Sequence, residues 1–233
     1  MPEPMESDDR SAQAPLRKLA RSGEILPMAA AALARRAGAA GLSAAQLMAT
    51  HLVPAAAAFM LFWTAHYWLG LIAAAAAILV CAAAGVMHGP QSRRPMWSET
   101  AALAVALGWW WSWAHGLTAY GQPLAPVYGI MVLWAAIGGT IADRAIALLF
   151  ARRFKGVVLD QWRPFDRRFS AVAASTTVNL GLLAAGLLVE RPAAGLVLVG
   201  WWAMATALVH AVRLAQAGDQ AARGAPVRPW SGQ

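Results

Sequence analysis

Charge is scarce in this chain, and negative charge is scarcest. Charged residues make up 13% of its 233 residues and hydrophobic ones 59%, whereas a soluble domain carries about 25% charged residues. That balance excludes an ordinary soluble globular domain. The stretch HLVPAAAAFMLFWTAHYWLGLIAAAAAILVCAAAGVM, residues 51–87, has no Lys, Arg, Asp or Glu at all. A single cysteine, Cys81, excludes an intramolecular disulfide, and in so apolar a setting the thiol is expected to pack rather than react. The five histidines, His51, His66, His88, His115 and His210, form no His-x3-His or His-Glu-x2-His pair, so a spacing typical of zinc sites is missing. The net charge is +8, but no aromatic-basic platform or groove-reading helix accompanies it, and nucleic acid is not an expected partner.

What the chain does have is length of apolar run. A membrane-crossing helix needs roughly 20 apolar residues, and residues 51–87 hold enough for two, with TAHYW, residues 64–68, as the turn. Six spans are predicted, near 48–64, 67–87, 99–118, 126–150, 170–189 and 194–214. The expected fold class is therefore all-α, a polytopic membrane helix bundle of six transmembrane helices. Over LARRAGAAGLSAAQL, residues 33–47, an N-terminal interfacial helix is expected to lead into it, the alternative being a plain helical extension of the first span. The segment MPEPMESDDR opens with acids, not with the basic patch of a secretory signal. Residues 1–32 are expected as a disordered cytoplasmic tail, 33–217 as the membrane domain and 218–233 as a cytoplasmic C-terminal tail.

The cations orient this arrangement. Of the 19 Lys and Arg, only Arg191 falls beyond the odd side of the predicted spans. The other 18 lie before the first span, in the second and fourth connections, near the ends of the fourth and sixth spans at Arg144 and Arg213, or after the last span. Under the positive-inside rule both termini are cytoplasmic, and a bacterial inner membrane is the expected location. The basic excess then serves anionic lipid headgroups, at about 1 kcal/mol per residue near the surface.

Several stretches resemble the CDP-alcohol phosphatidyltransferases, membrane enzymes that move a phosphatidyl or related phosphoalcohol group from a CDP donor to an acceptor alcohol. GLSAAQLMATHLVPAAAAFMLF, residues 41–62, is similar to that family's entry into its first span. WWWSWAHGL at 109–117, QWRPFDRRF at 161–169, VNLGLL and HAVRLAQA at 210–217 resemble one bacterial branch. The family signature is D-x2-D-G-x2-A-R-x8-G-x3-D-x3-D, and its four carboxylates imply two divalent ions that neutralise a pyrophosphate. Its length matches CAAAGVMHGPQSRRPMWSETAALAVA, residues 81–106. With the signature glycine on Gly85, Cys81 and Ala84 replace the first two Asp. His88 and Gly89 replace Ala-Arg, Ser98 replaces the second Gly, and Ala102 and Ala106 replace the last two Asp. Other family positions are also replaced: Ala44, Ala45 and His51 stand where members of the family tend to show a Pro-Asn pair and then an Arg, and Ser175, Thr176, Thr177 and Val178 where an Arg-Arg-Asn-Pro run precedes the Asn-Leu of the fifth span.

The resemblance thus implies the fold of that family, and a link to phospholipid metabolism, without its catalytic residues. No catalytic residue is assigned, no cofactor is expected, and Glu99 and His88 are the weak metal candidates. The expected role is binding a phospholipid or pairing with a partner, as a homodimer or as a heterodimer with an active relative. Arg144, Arg163, Arg167 and Arg168 are the candidates for gripping lipid phosphate, since the planar guanidinium fork matches phosphate oxygens. One alternative is an active transferase with a rebuilt Mg or Mn site; a second is a small transporter. Asp143 is expected to pair with the neighbours of Arg144 or with a snorkelling Arg152. The run Trp109, Trp110, Trp111 and Trp113 points round most of a helix, so some of these rings must face lipid.

Overall fold

A computed structural model describes residues 25–88, 96–120 and 126–230. Among these, every regular element is helical. Helices α1 (Ile25–Ala39), α2 (Ala44–Thr50), α3 (Leu52–Trp63), α4 (Tyr67–His88), α5 (Met96–Ala119) and α6 (Pro126–Arg153) come first. A 3-10 turn (Leu159–Gln161) and the short α7 (Pro164–Phe169) follow, then α8 (Thr176–Leu188) and α9 (Pro192–Ala222).

The breaks between helices have local causes. Gly41 adopts φ +77°, and the Leu42 N–H donates back to the Ala37 carbonyl at 2.9 Å, closing α1 with a left-handed cap. Two residues later Ser43 opens α2 with a reciprocal capping box to Gln46. The interval 33–47, expected as one helix, is therefore divided between α1 and α2, and α1 begins inside the interval expected as tail. The TAHYW turn forms as expected. Ala65 takes φ 58° while the His66 N–H reaches the Leu61 carbonyl at 2.8 Å. Glu190 repeats that geometry after α8, at φ 58°, with the Arg191 N–H on the Gly186 carbonyl at 2.7 Å.

Four described helices are long and apolar enough to cross a membrane: Ala44–Trp63, Tyr67–His88, Gly129–Arg153 and Pro192–Ala222. They coincide with the first, second, fourth and sixth expected spans, so the architecture is that of a membrane-type helix bundle. Helices α5 and α8 coincide with the third and fifth expected spans without being among those four. In α8 the reason is length. The interval from Ser170 is held as turns, and Ser175 caps a helix of 13 residues, about 20 Å at 1.5 Å per residue, against a hydrocarbon core of about 30 Å. In α5 the apolar run is diluted by Ser112, His115 and three glycine or threonine positions, Gly108, Gly116 and Thr118.

The described chain forms two compact units, one comprising the chain up to Ala57 with Ile72–Glu99, the other Ala58–Leu71 with Thr100 onward. In the first, α1 and α2 pack on the second half of α4. Their shared core is built of Ala30, Ala34, Ala37, Leu47, Met48, Ala83 and Ala84. In the second, α9 lies along both α6 and α8. Small residues permit the approach. A Cβ on Gly139 would come within 2.8 Å of the Ala203 carbonyl carbon and the Met204 nitrogen, and one on Gly186 within 2.6 Å of Gly195 Cα. Lipid tails are as apolar as leucine, so close van der Waals contact of this kind is what holds such helices together.

Gly138 provides the internal comparison, because a Cβ there would meet nothing within 4 Å. Gly139→Ala is expected to lose about 1–3 kcal/mol of stability through overpacking against rigid backbone. Gly138→Ala is expected to be neutral or slightly stabilising, as alanine is the better helix former. Reversible unfolding in mixed detergent micelles checks both, and equal losses at the two sites would refute the close α6–α9 contact.

Candidate functional site

Of the positions expected to match the metal-binding signature, Cys81, Ala84 and Ala106 are packed and uncharged. Ala84 is fully buried in the alanine cluster of the first unit, and Cys81 and Met87 pack on the same cluster. A carboxylate at position 84 would be surrounded by methyl groups from α1 and α4, at a cost of several kcal/mol unless a counter-charge came with it. His88 Nδ1 lies 3.0 Å from the Ala84 carbonyl one turn earlier in α4. On α5, Ala106 is buried and Ala102 exposed. Gly89 and the side chains of Ser98 and Glu99 lie outside the described residues, and so does any approach of His88 to Glu99. Among the described residues no three His, Cys, Asp or Glu side chains come together.

The polar chemistry gathers elsewhere, on one face of α9 in the second unit. Trp202, Thr206, His210 and Arg213 follow one another at spacings of four, four and three, which stacks them along a single stripe. Each meets a different part of the unit. The Trp202 indole N–H donates to the Val172 carbonyl at 2.7 Å, and the Thr206 hydroxyl accepts from the Ala174 N–H at 3.1 Å. These two bonds fix the turns between α7 and α8. His210 Nδ1 sits 2.5 Å from Asp143 Oδ1 on α6, with both side chains only 15% exposed. Phe169 at the end of α7 meets the His210 ring edge to face at 5.6 Å. Asp143 therefore pairs neither with the neighbours of Arg144 nor with Arg152. The helix periodicity that carries Arg144 to the exposed face turns Asp143 towards α9.

One turn further on, Arg213 grips Asp166 with both arms, Nε to Oδ1 at 2.5 Å and Nη2 to Oδ2 at 2.7 Å. Asp166 is 4% exposed and its partner 11%. The guanidiniums of Arg213 and Arg163 both lie over the Trp162 ring, at 4.6 and 4.5 Å from its centroid. Trp162 belongs to an apolar knot with Phe150, Phe154, Leu159 and Ala217. Arg163 also donates to Gln220 Oε1 at 2.7 Å, and Gln220 in turn donates to the Pro226 carbonyl. The Trp230 N–H closes the system on the Gln161 carbonyl at 2.8 Å. Part of the expected C-terminal tail, residues 218–222, is thus the last turn of α9, and the segment after it is tied back to the 3-10 turn.

The four arginines expected to grip phosphate consequently divide. Arg163 is committed to Trp162 and Gln220. Arg144, Arg167 and Arg168 are exposed and, among the described residues, have no ion-pair or hydrogen-bond partner on their side chains. Arg144 follows Asp143 on α6, and Arg167 and Arg168 lie in α7 between Asp166 and Phe169. Asp166, His210 and Arg213 were not singled out by sequence reasoning. The i, i+4, i+8, i+11 polar stripe within an otherwise apolar α9 was the available signal.

At the other end of α5, the tryptophans resolve into roles. Trp109, Trp110 and Trp113 are buried, whereas Trp111 is 50% exposed. Trp113 packs edge-on against Phe62 at 5.0 Å and tilted against Tyr67 at 4.5 Å, and its indole N–H donates to the Pro192 carbonyl. His115 stacks on Trp63 with centroids 3.5 Å apart, and His66 meets the Thr64 hydroxyl at 3.0 Å. The buried His51 bonds through Nδ1 to the Met48 carbonyl.

Compared with known protein families, with curated proteins and with solved structures, the chain matches none. The class its own geometry defines is a helical bundle of membrane type, in which a stripe of four polar or hydrogen-bonding residues on the last long helix ties together the described elements around it.

Removing Asp166 leaves a nearly buried guanidinium without its partner. Asp166→Ala is expected to destabilise by about 3–5 kcal/mol. The double variant Asp166→Ala/Arg213→Ala should cost less than the sum of the two single changes, by about 1–3 kcal/mol. Micelle unfolding of all four proteins checks this, and an additive cycle would show that the pair is not coupled.

Proposed function

We propose that this protein is an integral membrane protein, of the CDP-alcohol phosphatidyltransferase type but catalytically inactive, that holds anionic phospholipid at its basic end. The observation that carries the reading is the set of three exposed, uncommitted guanidiniums, Arg144 on α6 and Arg167 and Arg168 on α7. Their neighbours with comparable chemistry, Arg163 and Arg213, are occupied by Gln220 and Asp166. Uncommitted arginines beside exposed Phe165, which is 52% exposed and stacks on Phe169 at 5.7 Å, suit the boundary between headgroups and acyl chains. Inactivity is supported by Ala84, whose surroundings leave no room for a hydrated carboxylate or a metal ion.

In this reading the chain crosses a bacterial inner membrane six times, with α5 and α8 completing the set, and both termini face the cytoplasm. The 18-to-1 distribution of Lys and Arg supports that orientation. Membrane phospholipid is the primary partner, and a second copy or an active relative is the protein partner in keeping with the resemblance.

Lipid mass spectrometry of the purified protein, with and without added CDP-diacylglycerol, tests the proposal. A defined anionic phospholipid should co-purify with the native chain. At about 1 kcal/mol per basic residue, Arg144→Ala/Arg167→Ala/Arg168→Ala should lower its retention at least tenfold. Equal, non-selective carry-over in both proteins would refute lipid binding at this end. CMP release from a CDP-alcohol, dependent on Mg2+ or Mn2+, would refute inactivity and favour a rebuilt transferase site.

A further inference from the structure

Two clefts of similar size open on the second unit. One, of about 250 Å³, lies between α6 and α9 around Val132, Gly200, Trp201 and Met204, and has no hydroxyl, amide or charged group in its lining. The other, of about 280 Å³, lies between the end of α5 and the start of α6. Its walls are Trp111, Leu117, Ile130 and Leu133, and it also contains His115 and Thr118. That polar pair makes it chemically specific.

His115 is held by its ring face, stacked on Trp63 at 3.5 Å and 16°. Among the described residues neither ring nitrogen has a hydrogen-bond partner. An imidazole edge offers both an N–H donor and an acceptor nitrogen. Thr118 spends its proton on its own helix, donating to the His115 carbonyl at 2.9 Å, which leaves its oxygen free to accept. The cleft therefore has a polar end able to donate one hydrogen bond and accept another. Among the described residues it has no charged lining residue to balance an anionic or cationic head.

The helix directions set the rest. His115 and Thr118 lie in the last turns of α5, across from Gly129 and Ile130 in the first turns of α6. Trp111 and Leu133 lie one turn deeper from those ends and close the cleft with apolar surface. Drug-sized ligands fill pockets of about 300–1,000 Å³, so this one admits a single chain segment and a small head.

We propose that the α5–α6 cleft binds a single-chain neutral lipid with a hydroxyl head, with His115 hydrogen-bonded to the hydroxyl and the chain running between Trp111 and Leu133. The site is independent of the arginine end, and neither reading requires the other.

The full chain in phosphatidylcholine nanodiscs, photolabelled with a diazirine-bearing 16-carbon alcohol, tests it. Labelling should concentrate on residues 111–118 and 129–133 and fall several-fold under excess unlabelled hexadecanol. His115→Phe keeps the stack on Trp63 and removes both nitrogens, and should reduce labelling about fivefold, the weight of one hydrogen bond. Leu133→Trp should block the apolar end and reduce labelling whatever the state of His115. Labelling of the native chain spread evenly over lipid-facing positions such as Trp134 and Leu208, or undiminished by hexadecanol, would overturn the proposal. So would a folded His115→Phe protein that labels as the native chain does.

Discussion

The second unit depends on the polar face of α9. In a bundle this apolar, a polar side chain without a partner is costly, and water is not at hand to serve as one. Trp202, Thr206, His210 and Arg213 answer that constraint by bonding, in order, to the α7–α8 turns, to α6 and to α7. The same residues that would be a liability facing lipid become the attachment points of α9 for α6, α7 and the turns before α8. Arg213 and Asp166 are the tightest of these, since a bidentate pair also fixes orientation. Through Trp162 and Gln220 their grip extends to the 3-10 turn and to the segment up to Trp230.

Where polar bonding stops, close contact takes over. Gly139, Gly186, Gly195 and Gly200 let α6, α8 and α9 approach until backbone meets backbone. The first unit uses alanine for the same purpose, with Ala30, Ala34 and Ala37 of α1 interlocked with Ala83 and Ala84 of α4. A metal site needs diverging space, hydration and several oxygens. Interlocked alanines supply none of these, so recovering such a site would require repacking α1 against α4 as well as changing the acids.

The two ends of the second unit differ in the charge they leave unused. At one end the commitments of Arg163 and Arg213 separate structural guanidiniums from those still free for an anion. At the other, aromatic stacking absorbs Trp63 and Trp113, and one imidazole edge is left at a small apolar cleft. Neither distinction follows from residue type, because arginines of both kinds sit within six positions of one another in QWRPFDRRF.

The sequence alone determined the all-helical membrane character, the TAHYW reversal and the places of the four long apolar helices. These follow from uncharged length, which is a local property of the chain. It also determined how few acids there are, and hence that each one near an apolar segment must find a cation or a hydrogen-bond donor. Tertiary structure alone decided which donor: Asp143 chose His210, 67 residues away, and Asp166 chose Arg213, 47 residues away. It likewise decided that Arg144 turns to the exposed face while Asp143 turns inward. Helix rotation and packing set those outcomes, because a turn of about 100° per residue sends adjacent side chains such as Asp143 and Arg144 to different neighbours.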